Sequence, residues 1–225
     1  MTGKRTWLLA AVLVGIFFPG ATARAAVPTP MLAAYGGHNE TMIPIWVGAD
    51  KGLFRKYGVD LRALQTRSGP IMMATLASGG TPLVWSAPSS ALSTSASGLK
   101  LGCFAVGNNQ VPREVIVRKG IESIEDLRGK SFGVQSIGGG FWISTMVVLD
   151  ALGIDPDKFK LNMRVIGDTA TVTQALITGN VDAMVVPYSY GDVAKRAGAK
   201  ALADAGKLNV TYQATVMCAQ KDSSA

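Results

Sequence analysis

Short apolar runs alternate with helix-like stretches along nearly the whole chain, with glycine and proline marking the joints between them. "TPMLAAYGG" reads as a strand closed by a glycine turn. "TMIPIWVGADKGLFRKYG" follows as a helix that starts near Pro44, a favoured first-turn residue, and stops at Gly58. "VDLRALQT" is the next strand, and Gly69-Pro70 opens the helix "IMMATLASGG". "PLVWSA" predicts a strand, Pro88 to Ser97 a helix, and Leu101 to Val106 another strand.

The alternation restarts after a seam at residues 107–113. Glu114 to Arg118 is a strand, and Ser123-Ile-Glu-Asp126 has the spacing of a capping box that opens a short helix. "KSFGVQ" is a strand leading into "SIGGGFWIST" (residues 136–145), and a long helix runs from about Trp142 to Leu152. "LNMRVIG" is a strand, Asp168 caps the helix "TATVTQALITG", and "VDAMVVP" is a strand before the helix "YSYGDVAKRAG". "AKALAD" and "YQATVMCAQK" complete the strands. Two blocks of strand–helix units with short connections predict an α/β fold of two lobes, sheets largely parallel, and a ligand cleft between them. The expected divisions are 26–112 for the first lobe, 113–210 for the second, and 211–225 for a returning strand. Ligands of such folds sit where strands end and helices begin.

Composition changes this picture at the N-terminus. Lys4 and Arg5 precede an apolar run from Trp7 to Phe18 and the small-residue stretch Ala21 to Ala26, the layout of a secretory signal peptide over residues 1–25. The run is too short to span a bilayer, which takes roughly 20 residues. Cleavage is expected after Ala25, with Ala23 the alternative, and the mature chain is expected in the periplasm. Loss of Lys4, Arg5 and Arg24 reduces the formal charge from +7 to a modest excess, with the remaining basic residues scattered. No basic stripe interleaved with aromatics is present, so no nucleic-acid partner is expected. Cys103 and Cys218 each lie in a strand-like apolar run, either as two buried thiols or as one disulfide.

The standard catalytic and cofactor motifs are missing. Gly138 and Gly140 supply the first pair of a dinucleotide fingerprint, but position 143 is Ile. "GKS" at 129–131 has Ile124 where a P-loop needs glycine, and it precedes its strand. His38 is the only histidine, which leaves a catalytic triad without identifiable partners and makes a His-rich metal site impossible. No cofactor, catalytic residue or metal ligand is therefore assigned. What remains is binding. Ile137, Gly138, Gly139 and Gly140 leave a strand and enter a helix, so free amides and the positive end of the helix dipole meet there. Phe141 and Trp142 would cover an apolar part of a ligand. The bland alternative is a flexible hinge with core aromatics. Ser86, Ala87 and Ser89 form a similar junction, as do the turn Gly37-His38-Asn39-Glu40-Thr41 and the pair Asp168-Thr169, with ordinary capping as the alternative. No arginine sits in these loops, so backbone amides would carry the anion, while Glu40 and Asp168 would receive an amine.

"GADKGLFRKYGVDLRAL", "SIEDLRGKSFGVQSIGGG", "LDALGIDPDKFKL" and "QALITGNVDAMVVP" resemble the periplasmic solute-binding proteins of ABC importers. The likeness is to the nitrate, sulfonate and taurine (NMT1/THI5-like) branch and runs from Met31 to Gln220. It implies two α/β lobes joined by crossing strands, in the type II manner, that close by hinge bending on a small anionic or zwitterionic solute. It also implies ABC permease subunits as partners and a monomeric chain. By the same likeness Gly37–Thr41, Ser86–Ser89, Ile137–Phe141 and Thr169 line the site, and Pro187 and Tyr188 face it. Family members add C-terminal helices after a strand like "ATVMCAQK", so the first lobe is expected to be incomplete and the chain truncated. The superfamily also includes enzymes of thiamine-pyrimidine synthesis, which are intracellular and carry a Cys-rich motif unlike the two separated cysteines here. A ligand-sensing periplasmic receptor is the other alternative.

Overall fold

The computed structural model describes residues 27–208 and 210–221, so the expected signal peptide lies outside the described residues. These described residues form six α-helices and ten strands, and the strands make two five-stranded sheets. The first block gives β1 (Thr29–Tyr35), α1 (Ile43–Asp50), β2 (Val59–Gln65), α2 (Gly69–Ala77), β3 (Leu83–Ser86), α3 (Pro88–Ala96) and β4 (Leu101–Asn108). The second gives β5 (Arg113–Val117), β6 (Ser131–Val134), α4 (Gly140–Ala151), β7 (Asn162–Val165), α5 (Thr169–Ile177), β8 (Ala183–Pro187), α6 (Tyr188–Arg196) and β9 (Lys200–Asp204). β10 (Thr215–Gln220) then returns to the first sheet.

Strand order is β2-β1-β3-β10-β4 in one sheet and β7-β6-β8-β5-β9 in the other. Three strands of each sheet are parallel, as strand–helix–strand units require. The fourth position breaks the expectation of largely parallel sheets. β10 runs antiparallel between β3 and β4, and β5 runs antiparallel between β8 and β9. Each inserted strand arrives from the other lobe, so the chain crosses twice, and the two crossings lie side by side. Tyr212 N donates to Asn109 O at 3.1 Å and Ala214 N to Asn108 O at 3.1 Å.

Alternation along the strands divides each lobe into two apolar layers. In the second lobe Val115, Val117, Phe132, Val134 and Val185 face α4 through Val148 and Leu149. Ile116, Met184 and Val186 face the other way onto Val172, Leu176 and Ala194 of α5 and α6. In the first lobe Ala34, Val84 and Val216 meet Met72, Met73 and Leu76 of α2, while Ala33, Tyr35 and Trp85 meet Met42 and Ile45. β4 is an edge strand whose Phe104 and Val106 are 65% and 54% exposed. The register sets Cys103 opposite Cys218, and the two are joined in a disulfide.

Two helix expectations are corrected. The helix expected from Pro44 to Gly58 ends at Asp50, because Gly52 turns the chain at a φ of 62°; a single 3-10 turn, Arg55–Tyr57, follows. The capping box at Ser123 opens only one 3-10 turn, Glu125–Leu127. There the Asp126 carboxylate accepts from the backbone amides of Glu122 and Ser123 and from the Ser123 hydroxyl.

Asp182 ties β6 to β8. Its Oδ2 accepts from Ser131 N (2.9 Å) and Oγ (2.7 Å), and its Oδ1 meets Arg118 at 2.7 Å. Burial alone would raise this carboxyl, but the Ser131 hydrogen bonds and then the Arg118 charge outweigh it and hold it below the usual range. A depressed carboxyl stabilises the fold above its unfolded value of ~3.9 and loses that stabilisation as pH falls through the lower folded value. Asp182→Asn is expected to cost about 1–3 kcal/mol at pH 7. In urea melts the gap to the wild type should narrow below pH ~4. A gap that stays constant with pH would contradict this role.

Candidate functional site

Four helices begin at the boundary between the lobes, and the first turns of all four wall one pocket. Gly69 opens α2, Ala87 and Ser90 stand at the start of α3, Gly140 and Phe141 begin α4, and Thr169 begins α5. The turn after β1 adds Gly36, Gly37, Asn39 and Thr41, and β3 adds Trp85 and Ser86. The cavity holds about 100 Å³. Two helices from each lobe begin against this space; α2, α3 and α4 have no side-chain cap, whereas Asp168 caps α5. Free first-turn amides and positive dipole ends favour an anion.

The three glycines of "SIGGGFWIST" have separate tasks. Gly138 sits at a φ of 78°, a left-handed turn that side chains resist. Gly139 is the extended N-cap of α4, and Gly140 is its first residue. A Cβ on Gly140 would collide with the Cβ of Ala87 across the cleft. The bare backbone is therefore what lets the lobes approach.

The candidate residues divide into three groups by position. Gly37, Asn39, Thr41, Ser86, Ala87, Gly140, Phe141 and Thr169 line the pocket together. His38 and Asp168 line an adjoining cavity of about 230 Å³, with Arg67, Gln65 and Tyr190. His38 lies against the Trp46 ring at a centroid distance of 4.3 Å. Asp168 caps α5 by accepting from Thr171 N at 2.8 Å and Thr171 Oγ1 at 2.9 Å, and these bonds are the main reason its carboxyl lies below the usual range.

The remaining candidates sit outside both cavities. Ile137 is 66% exposed, Gly138 and Gly139 face an outer groove beside α2 and α3, and Trp142 packs into the core of the second lobe. The Ser89 hydroxyl is buried near that of Tyr212. Tyr188 donates from its hydroxyl to Asp204 at 2.8 Å; burial, then this carboxylate, pushes the phenol up to about 12.

Glu40 is committed elsewhere than to a ligand amine. Its Oε1 accepts from Tyr188 N at 2.8 Å and its Oε2 from Ser189 Oγ at 2.6 Å, which places a first-lobe carboxylate on the N-terminus of α6. A second cross-lobe bond runs from Gln135 Nε2 to Arg67 O at 3.2 Å.

Arg113 lines the pocket floor and was not among the candidates. It opens β5 immediately after the first crossing, and its guanidinium lies over the Phe141 ring, 4.8 Å from the centroid. Nη1 is buried and has no hydrogen-bond partner. Burial pulls this group down to about 10 against the opposing influence of Tyr212 and Glu40, so it stays charged at neutral pH. Its only sequence signal is its place next to the seam. Gln135, Ser90 and Thr215 also line the pocket without having been singled out. Among the described residues no cluster of three or more His, Cys, Asp or Glu is placed to hold a metal ion, and no helix is long and apolar enough to cross a membrane.

Two lobes, each with one strand supplied across the boundary, around a cleft walled by helix N-termini, make the periplasmic binding protein fold. The chain belongs to the NMT1/THI5-like family, whose model matches residues 39–225. It is 29% identical over 187 residues to a Brucella abortus protein named "Putative binding protein", a match covering 82% of this chain and 56% of the relative. The chain thus spans little more than half the length of that relative. Among solved structures it is similar to the periplasmic aliphatic sulphonate binding protein SsuA of Escherichia coli, with a TM-score of 0.66 and 20% identity, over 86% of this chain and 65% of that one. It is also similar to the alkanesulfonate-binding protein SsuA of Xanthomonas axonopodis bound to MOPS, with a TM-score of 0.67 and 19% identity, over 87% and 67%.

Proposed function

We propose that this chain is the extracytoplasmic solute-binding component of an ABC importer, a periplasmic monomer that captures a small anionic or zwitterionic solute between its lobes and presents it to permease subunits. The observation that carries this reading is the convergence of four helix N-termini, two from each lobe, on one pocket. A solute touching both walls stabilises the closed arrangement more than an open one, which is all that hinge closure requires. Binding needs no covalent chemistry and no cofactor, and the two SsuA proteins to which the chain is similar are sulfonate-binding proteins. Calorimetric titration of the folded chain with sulfonates, carboxylates and pyrimidines tests the reading. One-to-one saturable binding with a raised unfolding midpoint is expected; a folded chain silent across all three classes would overturn it.

Closure is also expected to depend on Glu40. Its two bonds to α6 exist only while the lobes meet, and hydrogen bonds to a charged group contribute about 1.5–3 kcal/mol where shielded, less where solvent reaches them. Glu40→Ala should therefore weaken solute binding about 10-fold by lowering the closed population. Small-angle scattering should show a more extended unliganded molecule. Unchanged affinity and dimensions would show that the clasp is incidental.

A further inference from the structure

We infer that Arg113 is the charge receptor of the cleft, and that the solute carries a compact oxyanion, a carboxylate or a sulfonate, seated between its guanidinium and the first-turn amides of the surrounding helices. This rests on the solute-binding reading and names the chemistry of the same site.

A buried guanidinium without a partner is costly, and proteins keep such groups when something completes them. No ion pair to Arg113 forms among the described residues. The carboxylate that influences it, Glu40, already has both oxygens engaged by α6. Phe141 covers one face of the guanidinium, which leaves its edge for hydrogen bonding. Thr215, which lines the same pocket, also has a buried hydroxyl without a hydrogen-bond partner. A hydroxyl can donate, so the Thr215 side chain and the Arg113 guanidinium offer this space a donor and a positive charge. The helix N-termini add the same sign from the walls. A planar fork of N–H donors suits a two-oxygen or three-oxygen anion better than a neutral carbonyl.

The test uses matched pairs: carboxylates of two to six carbons beside their amides, and alkanesulfonates beside their sulfonamides, titrated calorimetrically in chloride-poor buffer. The acids should bind, and each neutral partner should be weaker by about 100-fold or more. The carboxylate and sulfonate arms separate planar from tetrahedral preference. Arg113→Met should lose about 30-fold or more for the acid, with Arg113→Lys in between. Urea melts check that both variants fold, and the acid–amide comparison on the wild type stands without them. Neutral partners binding as tightly as acids, or a folded Arg113→Met with full affinity, would overturn the inference. A wild type that binds a neutral solute one-to-one would overturn it while leaving the receptor reading intact. A wild type that binds nothing would overturn both.

Discussion

Gly140→Ala should reduce solute affinity about 100-fold while leaving the chain as stable as the wild type or slightly more so. A Cβ at this position meets Ala87 Cβ across the cleft and also comes within 3.4 Å of Ser90 Oγ. Backbone strain is not the cause, since Gly140 lies outside the left-handed region. Alanine is the better helix former by about 1 kcal/mol in a helix interior, so the local effect on α4 is neutral or favourable. The cost falls on the approach of the two lobes. Apparent affinity scales with the fraction of closed molecules, so a hundredfold smaller closed fraction gives a hundredfold weaker ligand. Adding Ala87→Gly to the same chain removes the opposing Cβ and should restore most of the binding. Calorimetry and thermal melts on the single and double variants would read both effects. A Gly140→Ala chain with wild-type affinity would mean that the lobes bind solute without approaching this closely.

Replacing both cysteines by alanine should cost about 2–4 kcal/mol in urea-induced unfolding. The bond joins residues 115 apart in sequence, which makes the closed loop long and the entropy removed from the unfolded chain correspondingly large. It also holds an edge strand. β4 pairs only with β10, and most of its side chains face solvent, so packing does little to keep it in place. Hydrogen exchange should therefore rise first in residues 101–108 of the cysteine-free chain. A loss below about 1 kcal/mol, with β4 still protected, would show that pairing to β10 alone retains the strand.

Much of the fold was legible because its signals are local. β8 is a continuous buried run bounded by Asp182 and Pro187, and α2 and α3 both carry Pro in their first two residues after a polar turn. Asp168 caps α5 through a hydrogen bond three residues on, so its role is contained in the local sequence. The position of β10 is different. No local pattern in "ATVMCAQK" says that it inserts antiparallel between β3 and β4, and the partner of Cys103 follows only from that register. Helix α1 was read too long because apolar residues continue past Asp50, while the break depends on the backbone of one glycine.

The pocket was half legible for the same reason. Residues at the starts of helices could be found from strand–helix punctuation, and those are the ones that meet in the cleft. Arg113 opens a strand and reads as a solvated end charge; only the two crossings and Phe141 enclose it. Glu40 looked available for a ligand amine because its partners, Tyr188 and Ser189, are 148 and 149 residues away. Trp142 stands beside Phe141 in sequence, but the helical turn sends it into the core of the second lobe.

The cleft between the lobes is the proposed receptor site for one small anion. Native mass spectrometry of the chain, purified without refolding and then titrated with carboxylates and sulfonates, is its sharpest test. A single mass increment matching one small acid per chain is expected, present on isolation or saturating on titration, and lost from Arg113→Met. A folded chain that stays at its bare mass throughout, or that takes up several acids without saturation, would contradict it.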